Sequence, residues 1–236
     1  MAGLFIVFEG GDGVGKSTQT DHLVTWLQSQ GREVVRTFEP GEGPVGAQIR
    51  RIVLSPETEN LAARAEILLF AADKAQHVHA VVEPALARGA VVVSDRYVDS
   101  TLAYQGAGRV LDLADIERIN RWATGDLRPD LTVLLDLDPE RGVGEKDDLD
   151  RLERLGDEFH ARVREGFLAL AARDPERYLV LHARDSEDDI AAAVRARVAG
   201  LLAGDPEPQE VSRRGLLAAL FDPDAEMSEA SETLRP

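Results

Sequence analysis

A twelve-residue stretch, FEGGDGVGKSTQ from Phe8 to Gln19, sets four glycines ahead of a lysine and two hydroxyls. Each glycine in a regular element costs roughly 0.5–1 kcal/mol relative to alanine, so such a cluster needs a local cause. Upstream lies LFIVFE, a short apolar run of β-branched and aromatic residues. Downstream, Leu23, Val24 and Leu27 fall on one helical face that Gly31 ends. A strand, a glycine loop and a helix are therefore predicted in succession. Gly10, Gly15, Lys16 and Ser17 complete G-x-x-x-x-G-K-[ST], a loop whose glycines let consecutive N–H groups turn inward around phosphate oxygens at a helix N-terminus. The expected contacts to a nucleoside triphosphate are Gly10, Gly11, Asp12, Gly13, Val14, Gly15, Lys16, Ser17 and Thr18. Lys16 is expected to reach the terminal phosphates and the Ser17 hydroxyl to ligate Mg²⁺.

Further apolar runs with strand character follow: EVVRTF (33–38), AVVVS (90–94), LTVLLDL (131–137) and RYLVLHA (177–183). Helical patterns lie between them, among them VGAQIRRIVL, the long LAARAEILLFAADKAQHVHAVVEPALARG, DLADIERINRWATG and GDEFHARVREGFLALAARD. Continuously apolar strands alternating with helices predict a parallel, five-stranded sheet covered on both faces, a three-layer α/β/α arrangement of the P-loop NTPase kind. The composition changes at Asp205, where a segment rich in Pro, Ser, Asp and Glu begins. One domain over 1–204 and an acidic, disordered tail over 205–236 are predicted.

A net charge of −16 and a pI near 4.7 argue against a nucleic-acid polymer as partner. In so acidic a chain, a phosphate site must be a local cationic island, which gives weight to each arginine near the loop. The absence of cysteine excludes thiolate chemistry and disulfides. Neither an n-region with an apolar h-region nor a long apolar run is present, so a cytoplasmic protein without a membrane segment is expected. His77 and His79, two apart on a helix, point to nearly opposite sides and do not form a metal pair.

In an open α/β sheet, ligands sit beyond the carboxyl ends of the strands. After AVVVS comes Asp95-Arg96-Tyr97, where Asp95 could hold Mg²⁺ and Arg96 offers a planar fork for phosphate. Asp136 and Asp138 compete for the metal role, although Pro139 behind them suits helix capping better.

The segments FEGGDGVGKSTQ, EILLFAADKAQHV, SDRYVDSTLAYQGAGR, RPDLTVLLDLDPE and DRLERLGDEFHARVREGFLAL occur in an order that resembles the thymidylate kinases, enzymes that convert dTMP to dTDP with ATP and Mg²⁺. The resemblance is to the bacterial branch, because Gly13 stands where eukaryotic members carry an arginine. It implies that Asp12 binds the 3′-hydroxyl of dTMP, Phe70 stacks on thymine, Lys74 approaches thymine O4 and Arg96 grips phosphate. It further implies that Ser100 and Thr101 line the base pocket, that Tyr104 crowds the sugar C2′ position and that Gln105 and Arg109 lie in the same loop. A homodimer is implied as well.

Three departures stand out. TFEPGEG replaces TREPGGT, so Phe38 takes the place of an arginine, which leaves Arg50 or Arg51 to compensate. Lys74 stands where arginine is usual. The lid, about 140–150, lacks an arginine-rich run, so the developing charge falls to Lys16, Arg96, Mg²⁺ and one of Arg141, Lys146 or Arg151, with Arg151 favoured for its fork. Two rivals remain: a P-loop kinase for another nucleotide or nucleoside, and a nucleotide-binding regulator without turnover.

Overall fold

The computed structural model describes residues 3–58, 60–108, 112–137 and 150–204. The tail over 205–236, most of the lid with Arg141 and Lys146, and also Arg109 and Asp138, fall outside these residues.

The strands are β1 (Leu4–Gly10), β2 (Val34–Phe38), β3 (Val91–Asp95), β4 (Leu131–Asp136) and β5 (Tyr178–His182). They form a single five-stranded sheet in the order β2-β3-β1-β4-β5, parallel at every pairing. Every residue of β1 is buried, as the unbroken apolar run requires of a central strand with both faces covered. Its residues divide between the two faces. Leu4, Ile6 and Phe8 pack with Leu23, Leu27, Val194 and Val198, whereas Phe5 and Val7 pack with Val78, Val82 and Tyr97. Each such side chain stabilises the fold by roughly 1.5–3 kcal/mol, and Phe8→Ala would cost about 3–5 kcal/mol.

The helices are α1 (Lys16–Ser29), α2 (Gly43–Leu54), α3 (Ala63–His77), α4 (Glu83–Ala87), α5 (Val98–Thr101), α6 (Leu113–Thr124), α7 (Asp157–Arg173) and α8 (Glu187–Ala203). Local chemistry sets several ends. The Asp112 side chain accepts from the Ala114 N–H at 2.9 Å to start α6, and Gly125, at φ 60°, stops it. Ser186 caps α8 by accepting from the Asp189 N–H, and Glu187, Asp188 and Asp189 oppose the positive end of the helix dipole.

Two stretches depart from the expected pattern. The long helical segment after Leu61 is not one regular helix: wide π-type turns over Val78–Val82 join α3 to α4. The region after Tyr97, expected as a loop, is helical, with α5 running into wide turns over Leu102–Gly108. Ser100, Thr101, Tyr104 and Gln105 therefore sit on helical turns, where π-type geometry is often found at functional sites.

Candidate active site

The site forms where β1 and β3 end side by side, with Phe8 in register with Asp95. β1 feeds directly into the glycine loop. Gly10 has φ 133°, and a Cβ there would lie 2.4 Å from the Leu135 carbonyl oxygen, so only glycine fits against β4. Gly15, at φ 93°, turns the chain into α1. Lys16 folds back over this turn, donating to the carbonyl oxygens of Gly11 at 2.5 Å and Gly10 at 3.2 Å. Its burial pulls the ammonium down to about 8, a cost that a phosphate anion would offset. Val14 is a core residue, so only its backbone is available to a ligand. Ser17 Oγ donates to Asp95 Oδ2 at 2.9 Å.

Arg96 is held from both ends. Its backbone lies in the left-handed region at φ 70°, pinned by its N–H to Phe8 O and by the Ser94 hydroxyl to its own carbonyl; strain of this kind persists only where surrounding bonds fix it. Nη1 donates to Gly10 O at 3.0 Å and Ser100 Oγ at 2.9 Å, and Nη2 donates to Asp12 Oδ1. Asp12 also accepts from the Tyr104 hydroxyl at 2.7 Å. Burial works against the charge of Asp12, yet Arg96 and Lys16 hold its carboxyl well below the usual carboxylate range.

Two adjoining cavities meet at this arginine. One is lined by Gly13, Gly15, Lys16, Ser17 and Thr18 together with Asp95, the other by Phe70, Lys74, Thr101, Tyr104 and Gln105; Asp12, Glu39, Arg50 and Arg96 belong to both. The geometry suits a phosphate-rich ligand on one side of Arg96 and a planar, partly apolar ligand on the other.

The family model for thymidylate kinase matches residues 8–194. A thymidylate kinase of Cutibacterium acnes is 57% identical over 202 residues, which cover 86% of this chain and 99% of the relative. One from Clavibacter michiganensis subsp. michiganensis is 54% identical over 207 residues, with 86% and 98% covered. The chain belongs to the thymidylate kinase family. Among solved structures, that of the thymidylate kinase of Ehrlichia chaffeensis superposes with a TM-score of 0.71 at 29% identity, covering 84% of this chain and all of that one.

Set against the thymidylate kinase pattern, the departures acquire positions. Phe38, in the place of an arginine, has the Arg50 guanidinium 6.0 Å from its ring centre. Arg50 also donates to Pro40 O at 2.7 Å and lines both cavities, whereas Arg51 lines neither. Lys74 is buried beside Phe70, its Nζ 5.7 Å from the ring centre and 3.1 Å from Glu39 Oε2. Glu39 accepts in turn from His77 Nδ1 at 2.6 Å, so His77 is part of a buried polar network. Among the described residues no cluster of three or more His, Cys, Asp or Glu could hold a metal ion.

Other expectations are corrected. Arg151 is not poised over the loop. It is 7% exposed, donates twice to Val53 O and pairs with the buried Glu66 at 2.5 Å, which also accepts from Gln105 Nε2 at 2.9 Å. Among the described residues, both oxygens of Asp136 are taken by Arg164, at 2.7 and 2.8 Å, which leaves neither free for the expected metal role. Sequence reasoning missed Glu9, a fully buried carboxylate behind Arg96 that burial first, and Asp99 next, push up to about 7. An acid near the end of an otherwise apolar strand was the available signal.

Proposed function

We propose that this chain transfers the terminal phosphoryl group of ATP to dTMP, giving dTDP and ADP. The observation that carries this reading is the pair of cavities sharing Asp12, Arg50 and Arg96: a donor in the loop and an acceptor over Phe70 would bring their phosphates together at one wall, supporting in-line transfer. The acceptor is already an anion, so catalysis needs positioning and charge neutralisation in place of a strong general base. Loop N–H groups and Lys16 hold the donor phosphates. Arg96 and Arg50 hold the acceptor phosphate.

Ser17 and Asp95 suit Mg²⁺, because Mg²⁺ takes one or two protein oxygens and completes its shell with phosphates and water. Their hydroxyl and carboxylate oxygens lie 2.9 Å apart beside the loop. Bound there, the ion would neutralise phosphate charge. For the acceptor, Phe70 offers a stacking face and Lys74 a donor toward thymine O4. Thr101 Oγ1, buried and without a hydrogen-bond partner among the described residues, supports a contact to the base. Tyr104 and Asp12 sit together at the sugar, the first against a 2′-hydroxyl and the second toward the 3′-hydroxyl.

The same reading includes a kinase domain over 1–204 with an acidic tail over 205–236, a homodimer and a cytoplasmic setting. The described residues contain no helix long and apolar enough to cross a membrane. A coupled assay of ADP release with dTMP, dUMP, thymidine, AMP and CMP tests the proposal. A clear preference for dTMP is expected; preference for another acceptor selects the other-kinase reading, and no turnover with any of them selects the regulator.

A further inference from the structure

Glu9 is the penultimate residue of the central strand and fully shielded from water. A carboxylate there is tolerated only if its oxygens are well supplied with donors, and three are present. Oε1 accepts from the N–H of Tyr97 at 2.9 Å and of Ser100 at 3.2 Å; Oε2 accepts from Ser100 Oγ at 2.6 Å. A hydroxyl has one proton, and when Ser100 gives it to Glu9 its lone pairs are left for Arg96 Nη1 at 2.9 Å. The result is a chain from carboxylate to hydroxyl to guanidinium. Asp99 on the neighbouring turn opposes the charge of Glu9, Arg96 supports it, and Lys16 and Tyr178 also lie within its field.

We infer that Glu9 is a positioning residue for Arg96: it orients the Ser100 hydroxyl to accept from the guanidinium and ties down the turn that follows the arginine. The inference rests on Arg96 holding the acceptor phosphate, as in the proposed function. A neutral glutamine could satisfy the two backbone N–H groups equally well without a buried charge. It could not take the proton of Ser100. Its amide would donate to Ser100 Oγ, which would then face two donors and have to turn its own proton elsewhere. A residue needed only for packing would be no worse as glutamine.

The test compares wild type, Glu9→Gln, Ser100→Ala and the double variant by steady-state kinetics with each substrate varied, by calorimetry of dTMP binding, and by thermal melting. Loss of a charge-assisted hydrogen bond predicts that E9Q lowers kcat/KM and affinity for dTMP by roughly 10-fold or more, with KM for ATP within about two-fold and no lowered Tm. S100A should lose a similar share, and the double variant should be no worse than the poorer single one, because both changes cut one chain. The inference is overturned if E9Q binds and turns over dTMP like wild type, if the two losses multiply, or if both substrates suffer equally alongside a lowered Tm. Should E9Q fail to fold, S100A with wild-type behaviour overturns the inference, and Glu9→Asp, which keeps the charge but draws it back from the Ser100 hydroxyl, decides otherwise: a dTMP-selective loss upholds it and wild-type kinetics overturn it. A wild type that binds dTMP without turning it over overturns only the proposed activity, and the binding series then decides for Glu9.

Discussion

Ser17 Oγ donates to Asp95 Oδ2 at 2.9 Å, joining the first turn of α1 to the last residue of β3 across 78 positions of sequence. Under the proposed function, these two oxygens would supply the protein's share of a Mg²⁺ site. Asp95→Asn keeps the shape and removes the charge. It should raise the Mg²⁺ concentration for half-maximal kcat by at least ~10-fold, about 1.4 kcal/mol. A Mg²⁺ titration with the wild-type midpoint would remove Asp95 from the metal site.

Lys16→Met should lower kcat by well over ~10-fold with Tm little changed, since the methionine fills the same buried space and the lost ammonium serves charge that develops in transfer. Single-turnover rates at saturating ATP would check it; a variant keeping more than about a tenth of kcat would count against the loop as donor site.

Phe70→Ala tests the acceptor side. Phe70 is 6% exposed and packs with Tyr104 and Leu134, so truncation should cost about 3–5 kcal/mol of stability. Stacking on a base is worth about 1–3 kcal/mol, so KM for dTMP should also rise roughly 5- to 150-fold while KM for ATP stays put. Equal changes in both constants would leave Phe70 a core residue alone.

Arg151→Met should act on stability and spare kcat. It removes one partner of a buried pair and leaves Glu66 in the core, a change worth about 3–5 kcal/mol, or on the order of 6–20 °C in Tm for a chain of this size. The double change with Glu66→Gln should recover much of the loss. A ~10-fold drop in kcat at a temperature where the variant is folded would instead put Arg151 at the phosphates.

Glu9 makes stability depend on pH in an uncommon direction. Burial, then Asp99, raises its carboxyl from 4.5 to about 7. The folded chain thus binds that proton more tightly than the unfolded one; the associated stability is complete below 4.5 and is lost as pH rises through about 7. Glu9→Gln escapes the loss, so it should melt several degrees above wild type near pH 8, with the gap closing near pH 5. A gap of equal size at both values would show that the proton is not involved.

The fold was legible because its information is local. Val91, Val92 and Val93 read as a strand buried on both faces, and the glycines around Asp12 read as a phosphate loop, without knowledge of any partner. The helical stretch carrying Thr101 and Tyr104 was not legible: Gly106 and Gly108 look like loop residues, and the wide turns depend on packing against α7. Arg151 was misplaced for a similar reason. Its neighbours Asp150 and Glu153 suggest a surface helix, but its partner Glu66 lies 85 residues away. Glu9 escaped notice because its donors come from Tyr97 and Ser100, which only the β1–β3 pairing brings near.

The ion pairs around the acceptor cavity bear on how a nucleotide arrives. Asp12, Glu39 and Asp150 face Arg50, Lys74 and Arg96 there, and Arg96 and Lys74 are already closed onto Asp12 and Glu39. Among the described residues, two of the three cations lining this cavity are thus neutralised by carboxylates, while the whole chain carries −16. An incoming dianion should therefore be repelled at long range and gain its attraction at contact, by taking the place of a carboxylate beside the guanidinium. Electrostatically steered enzymes slow as salt is added. Here salt should screen the repulsion, over about 10 Å at 0.1 M, so nucleotide capture is expected to quicken with ionic strength until contact pairing itself weakens.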